Sequence, residues 1–415
     1  MICLNAPDSP ESKLTMNSIR FNCLCRALLL PVLLLEFSAN AQSLVVSNAA
    51  PAAVPRRASI ILVVADGLGY GDLSCYGQTN FQTPNLDKLA AEGVRFTNYQ
   101  AGDAVDAPAF ASLMTGKDFI QRRERAHMDV LVTPDGITVT QTVALVLKNS
   151  GYHTGLIGEW NLGGEDSSGA PWKTGFDEFA GYLDANDAEN FYADYVFRYT
   201  PNSSYDKTSG KWIDWTPAQG PPTGGREMIY ANTQGKNQYI PDLLTKAALN
   251  FIQTSQPDKF NRYRPFFLLL NYKIPGDGKS QVPTDAPFSE EPWPQPAKNK
   301  AAMIARLDGY IGQLTGQLQK LGMTNNAAIF FTSATVPQKT GAVDPDFFHS
   351  IVSTNDPRVP MIVHWPDQIP AGAVSDVKWA ARDFLPTAAE IAFAKPPEGN
   401  TGTSVLPALL EPSKK

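Results

Sequence analysis

The sequence has 415 residues, 43% of them hydrophobic and 18% charged, with a formal net charge of −6. That composition excludes a disordered chain, and the length suits one large α/β domain or two ordinary ones. The mild acidity argues against nucleic acid as a partner, because phosphate backbones are bound by a basic face.

Arg20 and Arg26 precede an apolar run from Ala27 to Leu35, and Ala39-Asn40-Ala41 follows as a small-x-small pattern. The run falls well short of the roughly 20 residues that cross a bilayer. The pattern therefore reads as an export signal over residues 1–41, against the alternative of a buried helix. Residues 42–57 are small and Pro-rich, a linker. The expected location is exported, periplasmic or secreted, with no membrane span after cleavage. Cys3, Cys23 and Cys25 lie in the signal, and the remaining Cys75 cannot make an internal disulfide.

Ala58 to Ala65 is an aliphatic, β-branched run, which predicts a strand buried on both faces. It ends in the turn-forming stretch Asp66-Gly67-Leu68-Gly69-Tyr70-Gly71. Thr83-Pro84 opens a predicted helix over Asn85 to Ala91, stopped by Gly93. A helix is expected over Val139 to Lys148 and a strand over Thr154 to Gly158. Residues 186–239, rich in Tyr, Gly, Pro, Asn and Ser, read as a long surface insertion. Then come a helix over Asp242 to Thr254, a buried strand over Pro265 to Tyr272, and a helix over Lys300 to Lys320. Strands over Ala327 to Ser333 and Val359 to Trp365 and a helix over Asp383 to Phe393 close the pattern. Helices alternating with apolar strands imply an α/β fold, a mostly parallel sheet sandwiched by helices. The domain is placed at residues 58–410, with 411–415 as a tail.

Ligands of such sheets bind at the carboxyl ends of strands, and Asp66 stands at one. The stretch from Leu62 to Asp72 resembles the opening motif of type I sulfatases in the alkaline phosphatase superfamily. Thr83 to Ala90 with Arg95-Phe96-Thr97-Asn98, and Gly151 to Gly158, are similar to the next family segments. Gly175-Phe176-Asp177-Glu178-Phe179 and Arg358 to Val363 add two more in the right order. The resemblance implies a nucleophile made by oxidising the Cys of C-x-P-x-R to formylglycine. It also implies a calcium ion on Asp and Asn ligands, and Lys, Arg and His around the sulfate. A smaller C-terminal subdomain usually follows in the family, and here it is expected to be largely missing. Its uncovered face would suit a protein partner or self-association.

The residues at those positions differ. Asp106 stands at the Cys and Phe110 at the Arg, although Pro108 and Thr115-Gly116 match. A carboxylate cannot become an aldehyde hydrate and attacks an anion poorly. The family's opening Asp pair is Asp66-Gly67, and its later Asp-Asn pair is Ala334-Thr335. Asp66 and Asp106, with a hydroxyl from Thr335, make a thin set for calcium, which wants six to eight oxygens. The family's Lys and His in G-K-W-H-L-G are Glu159 and Asn161, its His after Pro275 is Gly276, and its late Lys aligns loosely with His349.

Three carboxylates, Asp66, Asp106 and Glu159, would thus face a bound sulfate. Each such pair at about 4 Å costs roughly 4 kcal/mol at an effective dielectric near 20. The expectation is a degenerate pocket, inactive toward sulfate esters, without a cofactor, in a protein that binds a carbohydrate or another protein. The alternative is an exported ester hydrolase with altered chemistry and a metal on Asp66 and Asp106. Plainer roles are also open: Asp66 capping its turn, Asp106 as N-cap of a helix starting near Pro108, and Glu159 as a solvated charge. His127, His153 and His364 show no metal spacing, and Cys75 reads as a passive thiol.

Overall fold

The aliphatic run that opens the domain forms a strand at the middle of a ten-stranded sheet. The computed structural model describes residues 57–101, 106–118, 141–184, 188, 191–200, 203–206, 211–214, 226–255, 264–276, 282–337 and 357–412. The strands in chain order are β1 (Ser59–Asp66), β2 (Val94–Phe96), β3 (Tyr99–Gln100), β4 (His153–Glu159) and β5 (Glu178–Tyr182). They continue as β6 (Tyr195–Tyr199), β7 (Ser203–Asp206), β8 (Lys211–Asp214), β9 (Arg226–Tyr230) and β10 (Phe266–Pro275). The last are β11 (Ala327–Ser333), β12 (Met361–His364), β13 (Ala373–Ser375) and β14 (Trp379–Ala380). The helices are α1 (Pro84–Ala91), α2 (Asp106–Thr115), α3 (Val143–Asn149), α4 (Ile240–Thr254), α5 (Gln295–Lys320), α6 (Phe384–Ile391) and α7 (Leu406–Leu410).

The sheet order is β13-β2-β12-β11-β1-β10-β4-β5-β6-β9. Its centre, β11-β1-β10-β4-β5, is parallel throughout. Successive side chains of a strand point to opposite faces, so β1 feeds two cores. Ile61 and Val63 pack in one with Leu86 of α1, Leu244 and Phe251 of α4, and Leu307 and Ile311 of α5. Ile60, Leu62 and Val64 pack in the other with Phe110 of α2, Leu147 of α3, Phe384 of α6 and Leu409 of α7. Each such large apolar side chain stabilises the fold by about 1.5–3 kcal/mol. The expected α/β sandwich is thus present, for the reason the pattern gave: strands buried on both faces are apolar at every position.

Three local differences bear on the site. Strand β10 runs on past Tyr272 to Pro275: its parallel pairing with β1 shifts register between Val64 and Asp66, an irregularity that takes in Lys273, and resumes with Pro275 opposite Asp66. Helix α2 begins at Asp106, so this residue is in the helix and not an N-cap before Pro108. The expected surface insertion is in part sheet: β6 pairs antiparallel with β5, and β9 with β6, extending one edge. The alternation Tyr195-Val196-Phe197 is a strand signal that the surrounding Gly, Pro and Asn obscure. Helix α3 starts at Val143, where Thr142 Oγ1 accepts the Leu145 N–H at 3.2 Å, later than the expected Val139.

The turn after β1 is tied to α5. Lys300 Nζ lies 3.1 Å from Asp72 Oδ2, with both side chains almost fully buried. The same carboxylate accepts the Gly69 N–H at 2.8 Å.

The start of β4 is held by Asp177, which accepts the Thr154 N–H at 3.0 Å and pairs with Lys148 at 2.8 Å. Burial alone would raise the Asp177 carboxyl, but Lys148 and the Thr154 N–H outweigh it and hold the group below the usual carboxylate range. A depressed carboxyl stabilises the fold above its unfolded value near 3.9 and ceases to as the pH falls through its folded value. Asp177→Asn is therefore expected to lose about 1–3 kcal/mol at pH 7. Urea titrations from pH 7 down through pH ~3 check this: the variant should lose less stability on acidification than the parent. Parallel curves would refute the assignment.

Candidate functional site

The carboxyl ends of β1, β4, β10 and β11 converge on one cluster. Asp66 ends β1, Glu159 ends β4, Lys273 lies near the end of β10, and Ser333 ends β11. Lys273 Nζ is 3.0 Å from Asp66 Oδ2 and 3.7 Å from Glu159 Oε2. The other Asp66 oxygen, Oδ1, accepts the Thr335 hydroxyl at 2.8 Å. Thr335 Oγ1 in turn accepts the Gly67 N–H at 3.1 Å, and Ser333 Oγ accepts the Leu68 N–H at 3.1 Å. The first turn after β1 is thus fastened by hydroxyls from β11 and its following residues. Asn271 Nδ2 donates to the Glu159 carbonyl at 2.8 Å, which fixes the end of β4 against β10.

Backbone conformation completes the cluster. Gly67 has φ 67° and Gly276 has φ 57°. A Cβ on Gly67 would stand 2.9 Å from the Gly276 carbonyl oxygen. The Gly276 N–H donates to the Asp66 carbonyl at 2.9 Å. Position 276 therefore contributes backbone only, close against the turn that carries Asp66. Asn161 also sits in the left-handed region, φ 53°, which Asn tolerates better than most residues.

The structure brings Asp66 and Glu159 together and adds Thr335. Glu159 is 5% exposed, so it is not a solvated charge. It is buried because strand pairing brings the ammonium of Lys273 to it. Phe110 is buried in the core, 5.8 Å from the Trp160 ring in an edge-to-face pair. Trp160 also packs edge-to-face on Phe176 and donates its indole N–H to the Gly169 carbonyl at 2.7 Å. Asp106 starts α2, and its side chain lies outside the described residues, as do His349 and His127. His153 pairs with Glu178 at 3.1 Å and stacks on Phe251. His364 is buried beside Glu92, its ring held below the usual histidine range by burial. Burial, with the Asp87 carboxylate beside it, pushes the Cys75 thiol up to about 12, in keeping with a passive role.

Lys273 is the residue that sequence reasoning missed. It lies beyond the expected end of its strand and at no position of the family motifs. The available signal was a lone Lys after the apolar run Phe266 to Leu270. Its presence corrects the charge balance: the Asp66 and Glu159 carboxylates face an ammonium and do not repel a ligand uncompensated.

The same lysine decides whether calcium suits Asp66. Calcium binds oxygens at about 2.3–2.6 Å. One Asp66 oxygen is engaged by a hydroxyl donor and the other by an ammonium at 3.0 Å. A divalent ion about 4 Å from that ammonium would be repelled by about twice the roughly 4 kcal/mol of a unit pair. Among the described residues, no group of three or more His, Cys, Asp or Glu could hold a metal. The described donors therefore do not fit a calcium ion. A cavity of about 10 Å³, lined by Glu159, Asn271, Lys273, Phe191 and Leu244 among others, borders the cluster. A larger cleft of about 260 Å³, with Gln100, Ser112, Lys378 and Arg382 in its lining, contains none of the site residues.

The parallel sheet between two helical layers, with its polar cluster at the strand ends, makes this an α/β protein with a candidate site at the carboxyl ends of its central strands. The chain belongs to the Sulfatase family, whose model matches residues 58–393. It is 28% identical over 377 residues to the N-acetylgalactosamine-6-sulfatase of Sus scrofa, covering 86% of this chain and 67% of that protein. It is 28% identical to arylsulfatase A of Homo sapiens, covering 86% and 68% respectively. The crystal structure of Ps i-CgsB with k-i-k-neocarrahexaose superposes with a TM-score of 0.68 at 27% identity, covering 86% of this chain and 77% of that one. The chain thus spans about two thirds of the length of these curated relatives. Among the described residues, no helix is long and apolar enough to cross a membrane.

Proposed function

We propose that this chain is an exported, non-hydrolytic sulfatase-family protein that binds a carbohydrate through the family site without cleaving sulfate esters. The observation that carries this reading is the nucleophile helix. It begins at Asp106 where the family nucleophile is a Cys, and one turn on it buries Phe110 against Trp160 where the family has an Arg. A carboxylate offers no aldehyde hydrate, and an aromatic ring in the core offers no charge to an anion. Support for a glycan ligand comes from the relatives, one named for an N-acetylgalactosamine sulfate and one crystallised with a neocarrahexaose. Among the described residues, an acidic cluster partly compensated by Lys273 favours an uncharged or cationic sugar over a sulfated one.

The competing reading, an ester hydrolase with a metal on Asp66 and Asp106, is disfavoured by the ammonium of Lys273 on Asp66. Hydrolysis of 4-nitrophenyl sulfate by the purified chain, with calcium and an Asp106→Ala control, separates the two. Turnover indistinguishable from buffer in both proteins is expected. Turnover in the parent that disappears in Asp106→Ala overturns the proposal.

A further inference from the structure

The cluster at the strand ends has an internal cation, and its placement explains why two carboxylates stand buried together. Asp66 and Glu159 end two strands that flank β10, and β10 pairs parallel with both β1 and β4. The register places Asn271 opposite Gly158 and Pro275 opposite Asp66, so residue 273 falls between the two acids. A lysine at that point reaches both, at 3.0 and 3.7 Å, with its side chain 12% exposed. Two buried carboxylates without a cation are strongly disfavoured, whereas two carboxylates around one charge-assisted donor are tolerated.

We propose that Lys273 is a tethered cation that fills the electrostatic role of a metal ion at Asp66, making the site independent of divalent cations. This deepens the reading of the site as a degenerate family centre, but it is tested by cation binding and stability, not by hydrolysis, so each can fail alone. A lysine there serves as a positioning residue. It holds the Asp66 turn and the end of β4 in place.

The proposal predicts that removing the ammonium creates a metal site. Calorimetric titration of the full chain with calcium chloride is expected to show no binding that Asp66→Asn abolishes. Lys273→Met should gain calcium binding with a Kd of about 10⁻⁴–10⁻³ M, the range of weak oxygen sites. That gain should vanish in Asp66→Asn/Lys273→Met. Without calcium, Lys273→Met should also melt at least about 5 °C lower than the parent. If Lys273→Met does not fold, Asp66→Asn/Glu159→Gln/Lys273→Met should, because the uncompensated charges are gone. Calcium binding by the parent that depends on Asp66 overturns the proposal. So does a Lys273→Met protein with unchanged melting and no calcium affinity, or failure of the triple variant to fold.

Discussion

Lys300→Met is expected to lower the unfolding free energy by about 3–5 kcal/mol, read as a fall in the urea midpoint at constant slope. The lysine is in α5, and its ammonium lies 3.1 Å from an Asp72 carboxylate with no solvent exposure. Breaking a buried pair from one side leaves the other charge in a medium that solvates it poorly. The Gly69 N–H that the same carboxylate accepts is a neutral donor. Asp72→Asn/Lys300→Met should recover much of the loss, because both charges are then removed. A loss under about 1 kcal/mol in the single variant would mean that water reaches the pair, as at surface salt bridges. The effect should extend to the site, since the same turn leads from Asp66 to Asp72.

Phe110→Arg, the residue that the family resemblance implies at that position, is expected to destabilise the chain by at least about 3 kcal/mol. Phe110 is 3% exposed and packs on Trp160, itself packed on Phe176. The substitution removes an aromatic contact set and places a guanidinium among the apolar residues shared by α2, α3 and α6. Thermal melts of Phe110→Arg and of Phe110→Leu distinguish the causes. The Leu variant should lose less, because it keeps an apolar side chain. If the Arg variant melts with the parent, position 110 opens to a polar site and the aromatic reading is wrong. On the present geometry, the change at 110 is built into the core, and reversing it alone would not rebuild an anion pocket.

Much of this was legible in the sequence because it depends on local pattern. A run such as Ile60 to Ala65, short, β-branched and apolar at every position, fits a strand covered on both faces, and it stands directly before Asp66-Gly67 at the strand end. The family resemblance marked positions 106, 110, 159 and 276 for attention in the same way, through local motifs in the sequence. The strand over residues 195–199 is hidden in the sequence, because strand pairing at a sheet edge depends on the neighbour as much as on composition.

The sequence by itself determined the α/β sandwich and the family. Only the tertiary structure placed an ammonium between the two carboxylates of the cluster. Lys273 lies 207 positions from Asp66 and 114 from Glu159 in the chain, and no local pattern links them. Parallel pairing of β1, β10 and β4 brings their ends side by side, and a Coulomb interaction that is negligible along an unfolded chain becomes dominant at 3 Å in a buried site.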